Sequence, residues 1–170
     1  MTLNVTRLPG DGVDDLYREH AIAMVRLALL LTGDRATAED VVQDAFIGIY
    51  KGWSRLRDPD KAVGYLRTAV INGCRSVHRS RRRVWLHART PHDLPVWSAE
   101  AAVIDSEERR SVLAAVARLP RRQREVLALR YYLDLPDNEI AAILKVSRGT
   151  VSSTASRAVA ALARQLQERQ

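Results

Sequence analysis

The fold is decided by residues 135–166, which are LPDNEIAAILKVSRGTVSSTASRAVAALARQL. Apolar residues recur in this stretch at steps of three and four, which predicts two helices separated by a turn at 145–147. Ser147 is a preferred N-cap for the second helix, and the small Ala141 stands where the two helices would touch. Two helices joined by so short a turn fit a helix-turn-helix. Ordinary helical bundles contain short turns as well, so DNA binding is a hypothesis at this point.

The second of these helices has a candidate DNA-facing side. Val151, Ala155 and Ala158 would line its inner face. The opposite side presents Arg148, Gly149, Ser152, Ser153, Ser156 and Arg157. Hydroxyl groups and arginine are competent hydrogen-bond donors to base edges near the start of a recognition helix.

Helical periodicity continues through most of the chain, and no segment alternates as a half-buried strand would. Further helices are expected at about 14–31, 35–53, 65–83, 105–119 and 121–133. Residues 84–104 contain two prolines and no sustained period, which is typical of a linker. The sequence therefore predicts an all-α protein with two small helical domains, 14–83 and 105–166, joined by a flexible linker, the second domain containing the helix-turn-helix.

The predicted helix at 35–53, with Asp34 as its N-cap, is strongly amphipathic. Its buried stripe is expected to be Ala38, Val41, Val42, Ala45, Phe46, Ile49 and Trp53. Ile47 then points almost directly away from the core, surrounded by Asp40, Gln43, Asp44, Tyr50 and Lys51. An apolar centre with a polar rim is the composition of a small protein interface.

Positive charge is concentrated in one short block, because residues 65–92 contain seven arginines and no acidic residue in a chain of net charge +7. In the helix predicted there, one face carries Val63, Leu66, Val70, Cys74 and Val77. The opposite face presents Tyr65, Thr68, Asn72, Arg75, Arg79 and Arg82. Arginine binds phosphates, asparagine can recognise a base edge and tyrosine can stack on a base, so this face is a candidate nucleic-acid surface. A merely solvated face is the alternative, whereas a membrane surface would favour the Trp, Phe and Leu wedge that this face lacks.

Signals of enzymatic chemistry are absent from the sequence, which contains no Gly-x-Ser-x-Gly, P-loop, His-Glu-x-x-His or Cys-x-x-Cys motif. The four histidines are scattered without cysteine or carboxylate at ligand spacing, so neither a metal nor a cofactor is expected. The single cysteine rules out an internal disulfide framework, and no apolar run approaches roughly 20 residues. The first residues lack the pattern of a signal peptide. A non-catalytic, cytoplasmic protein without membrane insertion is therefore expected.

Two pieces of the chain, in this order, carry a family resemblance. The first is LLLTGDRATAEDVVQDAFIGIYKGW followed by GYLRTAVINGCRSVHRSRRR, and the second is LPRRQREVLALRYYLDLPDNEIAAILKVSRGTVSSTASRAVAAL. Together they resemble a bacterial RNA polymerase sigma factor of the extracytoplasmic-function (ECF) group. The resemblance extends over 14–83 and 105–166, with the linker between them.

This resemblance implies a protein that gives core RNA polymerase its promoter specificity. The helix at 34–53 would dock on core polymerase, and the helix at 65–83 would bind and melt the minus-ten element. The second domain would recognise the minus-thirty-five element. Core RNA polymerase and promoter DNA are the implied partners, and an anti-sigma factor is a further candidate.

The resemblance also implies three sets of site residues. Contacts to core polymerase would come from Asp40, Gln43, Asp44, Ile47 and Tyr50. Contacts to the minus-ten element would come from Arg57, Asp58, Lys61, Tyr65, Thr68, Asn72, Arg75, Arg79, Arg82 and Arg83, with the loop at 57–61 holding an unstacked base. Contacts to the minus-thirty-five element would come from Arg148, Gly149, Ser152, Ser153, Ser156 and Arg157.

The chain departs from the family pattern at a few positions. Lys145 occupies the helix-turn-helix corner, where the family often has glycine, and Tyr65 stands where tryptophan is frequent. Ser152, Thr154 and Val159 occupy recognition-helix positions where basic residues are common. These departures concern the minus-thirty-five contacts more than the minus-ten contacts.

Two other classes of function fit parts of the pattern. A helix-turn-helix regulator could act without direct sigma activity, with its first half serving dimerisation or ligand binding. A helical adaptor would have no role on DNA. Run-off transcription with purified core polymerase distinguishes the three, because only a sigma factor confers promoter-dependent initiation.

Overall fold

The described residues of the first half of the protein form a bundle of three helices. The computed structural model describes residues 9–56, 58–88 and 107–168. In the first half, the helices are α1 (Pro9–Thr32), α2 (Arg35–Gly52) and α3 (Ala62–Ala88). Two 3-10 turns, Trp53–Arg55 and Pro59–Lys61, lie between α2 and α3.

Residues 107–168, the described part of the second half, contain four helices, the last two of which form the predicted helix-turn-helix. The helices are α4 (Glu107–Arg118), α5 (Arg121–Leu127), α6 (Asp137–Leu144) and α7 (Arg148–Gln167). A π-helical turn, Ala128–Tyr132, continues α5. The part of the chain that the structure describes has no strand, which confirms the all-α prediction.

Local signals set the start of α2. The Asp34 carboxylate accepts hydrogen bonds from the Thr37 backbone N–H at 2.9 Å and from the Thr37 hydroxyl. Because these bonds, above all the one from the hydroxyl, stabilise the charged carboxylate, the pKa of Asp34 lies below its ordinary value. Gly33 ends α1 in the left-handed region (φ 74°), with its N–H bonded to the Leu29 carbonyl. The predicted cap at Asp34 is confirmed.

Several helix boundaries differ from the sequence-based prediction, and α3 begins at Ala62 rather than at residue 65. The first helix begins at Pro9, five residues before the predicted start, and proline is well tolerated in the first turn of a helix. α3 continues to Ala88, into the segment predicted as a linker, because 84–88 contain no proline or glycine to stop it. The single helix predicted at 121–133 is an α-helix only to Leu127, after which the turn widens. The rest of the predicted linker, 89–104, lies outside the described residues.

The corner of the helix-turn-helix is a tight left-handed turn. Lys145 follows α6 with φ 55°, and the N–H groups of Lys145 and Val146 both bond to the Ala141 carbonyl. Ser147 caps α7, with its hydroxyl accepting from the Thr150 N–H at 3.1 Å. The predicted turn and N-cap are both confirmed, and the lysine adopts the backbone conformation that a glycine usually supplies.

One apolar core runs through both halves of the protein. Met24, Leu27 and Leu66 are fully buried in the first half, as are Leu129 and Ile140 in the second, and all five belong to one connected cluster. Each such side chain contributes about 1.5–3 kcal/mol of transfer free energy. The two halves therefore pack directly against each other.

Candidate polymerase and nucleic-acid interfaces

The outer face of α2 carries the predicted polymerase-binding residues on its surface. The residues buried on this helix are Ala38, Val41, Val42, Ala45, Phe46 and Ile49, as predicted, while Trp53 is half-buried. On the other side Asp40, Gln43, Asp44, Ile47 and Tyr50 are exposed. Ile47 is 41% exposed and Tyr50 62%. The helix has the predicted rotation, with an apolar residue at the centre of a polar surface.

A shallow groove between α2 and α3 adjoins this face. Asp44 and Gly48 line it from α2, and Gly73, Ser76 and Ser80 line it from α3. The two helices approach closely at Gly73, where a Cβ atom would lie 2.7 Å from Cγ1 of Val41. Small residues on both sides thus keep the α2 face continuous with the edge of α3.

The outer face of α3 presents most of the predicted minus-ten residues to solvent. Tyr65, Asn72, Arg79, Arg82 and Arg83 are exposed. Thr68 is half-buried, and its hydroxyl donates to the Gly64 carbonyl at 2.9 Å. An aromatic ring, an amide and three guanidinium groups therefore lie along more than four turns of one helix without an opposing carboxylate on that helix.

Arg75 is the exception on this face. Its side chain is only 16% exposed, and it donates two hydrogen bonds of 2.8 Å to the carboxylate of Glu125, which is 2% exposed. These hydrogen bonds raise the pKa of Arg75. In this conformation Arg75 is held against the second half of the protein by its pair with Glu125. Its predicted contact with DNA requires a conformation in which this pair is broken, and stays a prediction.

The loop before α3 is held by its own ion pair. The Asp58 carboxylate accepts from the Asp60 N–H at 3.2 Å and lies 3.1 Å from Nζ of Lys61. The hydrogen bond to Asp58 raises the pKa of Lys61. Arg57, which belongs to the same predicted set, lies outside the described residues.

The start of α7 presents the predicted minus-thirty-five residues. Arg148, Gly149, Ser152, Ser153, Ser156 and Arg157 are all exposed. The hydroxyl of Ser156 donates to the Ser152 carbonyl, and Nε of Arg157 donates to the Ser153 carbonyl. The hydroxyl oxygen of Ser156 therefore remains available as a hydrogen-bond acceptor. Thr154, which occupies a position where basic residues are common in the family, lies on the inner face of α7 and is 4% exposed.

Sequence reasoning missed a buried arginine between the two halves. Arg124 donates to the Leu31 carbonyl at 3.1 Å and to the Leu119 carbonyl at 3.2 Å. Burial lowers the pKa of Arg124. His78 also lies against the Leu31 carbonyl, at 2.9 Å, and burial lowers the pKa of His78. The stretch LPRRQRE around Arg124 has the composition of a surface segment, so no sequence signal marked it.

The described residues carry neither a metal-ligand cluster nor a helix that could span a membrane. In these parts of the chain, no cluster of three or more His, Cys, Asp or Glu side chains could hold a metal ion. Within the same ranges, no helix is both long enough and apolar enough to cross a bilayer.

Comparison with known proteins identifies the family. The family model for sigma-70 region 2 matches residues 16–84, and the one for sigma-70 region 4 matches residues 109–162. An RNA polymerase sigma-E factor of Streptomyces avermitilis is 33% identical over 161 residues, which cover 92% of this chain and 86% of that protein. An ECF RNA polymerase sigma factor SigL of Mycobacterium tuberculosis is 34% identical over 155 residues, covering 90% and 88%. The chain belongs to the RNA polymerase sigma factors of the ECF group.

Solved structures share the fold of this sigma factor. The sigma factor RpoE of Bartonella quintana, solved in complex with the anti-sigma factor NepR, aligns with a TM-score of 0.74 at 23% identity, over 90% of this chain and 97% of that one. CnrH, solved in complex with the cytosolic domain of CnrY, aligns with a TM-score of 0.68 at 24% identity, over 93% and 89%. At these identities the likeness concerns the fold alone.

The function follows from family membership. The protein directs RNA polymerase to promoters, and a regulator acting without the polymerase is not favoured, because both sigma-70 regions occur in order. Sigma factors are in general DNA-recognition subunits rather than catalysts.

Proposed function

We propose that this sigma factor distributes its function over three exposed surfaces. The outer face of α2 docks on core RNA polymerase. The outer face of α3, with the loop before it, binds and melts the minus-ten element, and the start of α7 recognises the minus-thirty-five element. The domains that carry these surfaces span 14–83 and 105–166, and the protein acts in the cytoplasm without a catalytic residue of its own.

The exposed Ile47 is the observation that carries the polymerase surface. An isolated exposed isoleucine is unremarkable, but this one is ringed by Asp40, Gln43, Asp44 and Tyr50. Apolar centres with polar rims are what protein interfaces bury. None of these five residues supports the core, so the helix surface is available for a partner.

Charge and exposure support the assignment of α3 to the minus-ten element. Promoter melting requires a base to leave the stack, which costs a few kcal/mol. Contacts between the protein and the unstacked base must offset this cost. Tyr65 offers stacking and Asn72 offers a base-edge contact, while Arg79, Arg82 and Arg83 face the phosphates. Asp58 and Lys61 lie 3.1 Å apart in the adjoining loop, where an extruded base could be held.

Polymerase binding is tested by co-purification with core enzyme. Ile47→Glu and Asp44→Arg should each abolish it while leaving helicity and thermal stability near wild type, because both residues are exposed. Val112→Glu is the matched control, since Val112 is 39% exposed on α4 and should tolerate the same charge. Normal co-purification of both α2 variants would place the docking surface elsewhere.

Promoter opening is tested by permanganate probing in run-off transcription reactions. The double variant Asn72→Ala, Arg79→Ala should lose reactivity of the minus-ten thymines. Arg164→Ala removes an exposed arginine near the end of α7 and serves as the control. Normal promoter opening by the double variant would show that this face of α3 does not contact the minus-ten element.

A protein partner that regulates this sigma factor is also proposed. The solved sigma factor RpoE from Bartonella quintana is bound to the anti-sigma factor NepR, and its fold is shared here. We therefore expect an anti-sigma factor to bind this chain. Affinity capture from the native host, with the identity of the bound protein read by mass spectrometry, tests it.

A further inference from the structure

The start of α7 carries serine hydroxyls whose hydrogen-bonding roles are set by the helix itself. A serine hydroxyl has one proton to donate and two lone pairs that accept, so serine as a residue type does not distinguish the bases. The hydroxyl of Ser153 donates to the Thr150 carbonyl at 3.2 Å, and that of Ser156 donates to the Ser152 carbonyl at 3.1 Å. Both protons are therefore engaged inside the helix, and both exposed oxygens are left as acceptors.

Two other hydroxyls at this end of α7 belong to the helix cap. Oγ of Ser147 accepts from the Thr150 N–H at 3.1 Å and lies 2.9 Å from the Thr150 hydroxyl. This pair fixes the first turn, because losing an N-cap side chain destabilises a helix. Ser153 and Ser156 lie about one and two turns further along, outside the cap, where their oxygens can accept from a ligand.

Serine has a short side chain, so it reaches a base edge only where the helix lies close to the DNA. Gly149, Ser153 and Ser156 fall within about 60° of one another around the helix axis. A Cβ atom on Gly149 would meet only Oγ of Ser147, at 3.8 Å, so nothing in the described part of the fold requires a glycine there. Glycine is also unfavourable within a helix. Its missing side chain is explained if the major-groove edge of DNA comes close to the start of α7.

Arg157 holds a guanidinium group beside the Ser153 acceptor. Its Nε donates to the Ser153 carbonyl at 3.2 Å, which leaves Nη1 and Nη2 to bind a ligand. α7 contains no acidic residue that would compete for them. Paired arginine nitrogens match O6 and N7 of guanine, whereas a hydroxyl acceptor matches the amino group of adenine or cytosine. Neighbouring side chains on this surface therefore have opposite preferences.

We propose that Ser153 and Ser156 are specificity-determining residues, which accept hydrogen bonds from the exocyclic amino group of adenine or cytosine in the minus-thirty-five element. This inference rests on the proposed function, which places the start of α7 against that element. Guanine and thymine present only acceptors on their major-groove edges, so they offer no proton to an oxygen whose own proton is engaged. Each serine thus fixes the strand on which the amino-bearing base of its base pair lies.

Promoter selection with reconstituted holoenzyme locates the contacted positions. Core polymerase carrying wild-type sigma factor, Ser153→Ala, Ser156→Ala or Ser111→Ala selects from promoters randomised across both elements. Each of the first two variants should lose a preference at one position of the minus-thirty-five element and keep the minus-ten preferences. Alanine favours a helix at both exposed positions, so these variants keep the fold. Ser111→Ala is the control, since Ser111 lies on α4 and should leave selection unchanged.

Base analogues then show whether each serine accepts or donates. At a position so located, purine replaces adenine, or 2-pyrimidinone replaces cytosine, which removes the amino group. Wild-type holoenzyme should bind this promoter about two- to tenfold more weakly, as expected for one lost hydrogen bond. The matching serine-to-alanine variant should show no such loss beyond that of the weakened base pair, because its acceptor is already missing. Removing the carbonyl oxygen of the opposite base should affect wild type and variant equally.

The outcomes separate the acceptor role from the docking face of α7. Serine variants that select as wild type does overturn the acceptor role, and so does a loss coupled to the opposite carbonyl oxygen instead of the amino group. In either case the proposed function still stands if Arg157→Ala changes the preference in the minus-thirty-five element. An unchanged preference with Ser153→Ala, Ser156→Ala and Arg157→Ala refutes both, because α7 then docks through another face.

Discussion

The close approach of α2 and α3 at Gly73 predicts that Gly73→Ala is less stable than Gly48→Ala, a glycine-to-alanine change at an open position of α2. A Cβ atom on Gly73 would lie 2.7 Å from Cγ1 and 3.6 Å from Cβ of Val41. Ordinary contact begins at about 3.4 Å, so one helix must move by roughly 0.7 Å. Val41 cannot turn away cheaply, because a valine in a helix has one strongly preferred rotamer and this one is buried.

The expected free-energy change has two opposing contributions. Replacing a helical glycine by alanine stabilises by about 1 kcal/mol, whereas overpacking a core contact costs about 1–3 kcal/mol. Gly48→Ala receives only the first contribution, because nothing lies within 4 Å of a Cβ placed there. The free energy of unfolding of Gly73→Ala should therefore be about 1–3 kcal/mol lower than that of Gly48→Ala.

Urea denaturation of the single variants Gly48→Ala, Gly73→Ala and Val41→Ala measures this difference. The double variant Val41→Ala, Gly73→Ala is measured in the same way. Shortening Val41 makes room for the new methyl group, so the double variant should be more stable than the sum of the two single changes predicts, by about 1 kcal/mol or more. Equal stabilities for Gly48→Ala and Gly73→Ala, or strict additivity in the double variant, would refute the packing argument.

Three further predictions follow from single groups. Lys145→Gly should raise the free energy of unfolding by about 1 kcal/mol, because glycine adopts the left-handed backbone conformation of this position without steric strain. Lys145→Ala should not raise it, and a stabilised alanine variant in the same denaturation assay would contradict this reasoning. The pKa of His78 is lowered by burial among Arg81, Arg121 and Arg124, so the stability that depends on keeping His78 neutral is complete above its unfolded pKa of roughly 6.5 and is lost as pH falls toward the folded pKa. His78→Gln should flatten that loss in unfolding curves at pH 7.5 and 5.5, and an unchanged pH dependence would assign it to other groups. Arg157→Ala should weaken minus-thirty-five binding by about 1–3 kcal/mol in footprinting titrations, and wild-type affinity would show that the docking face of α7 is wrong.

The helices and their buried faces were predictable because the signals are local. The period of 3.6 residues placed Ile49 inward and Ile47 outward on α2, and Asp34 and Ser147 were recognisable as caps from their side chains alone. Helix ends were less predictable. The continuation of α3 to Ala88 shows that a linker cannot be located from two later prolines.

The sequence predicted the exposed face of α3 that we propose as the nucleic-acid surface, but it did not show which arginines on that face are free of contacts with other helices. Charge without counter-charge marked α3, and its exposed face carries Asn72 and Arg79 as expected. Arg75 lies on the same predicted face of α3 as Arg79 and is also an arginine, yet it is bound to Glu125. Spacing along one helix cannot distinguish these arginines, because the difference lies in what another helix brings to them.

The sequence by itself determined the helical fold, the inward and outward faces of α2 and the family. Only the tertiary structure decided which charged groups are buried. Arg75 and Glu125 are 50 residues apart, and Arg124 reaches a carbonyl 93 residues away. A charged side chain is exposed unless a distant segment supplies its partner, and that pairing arises from the packing of the two halves, which no local pattern records.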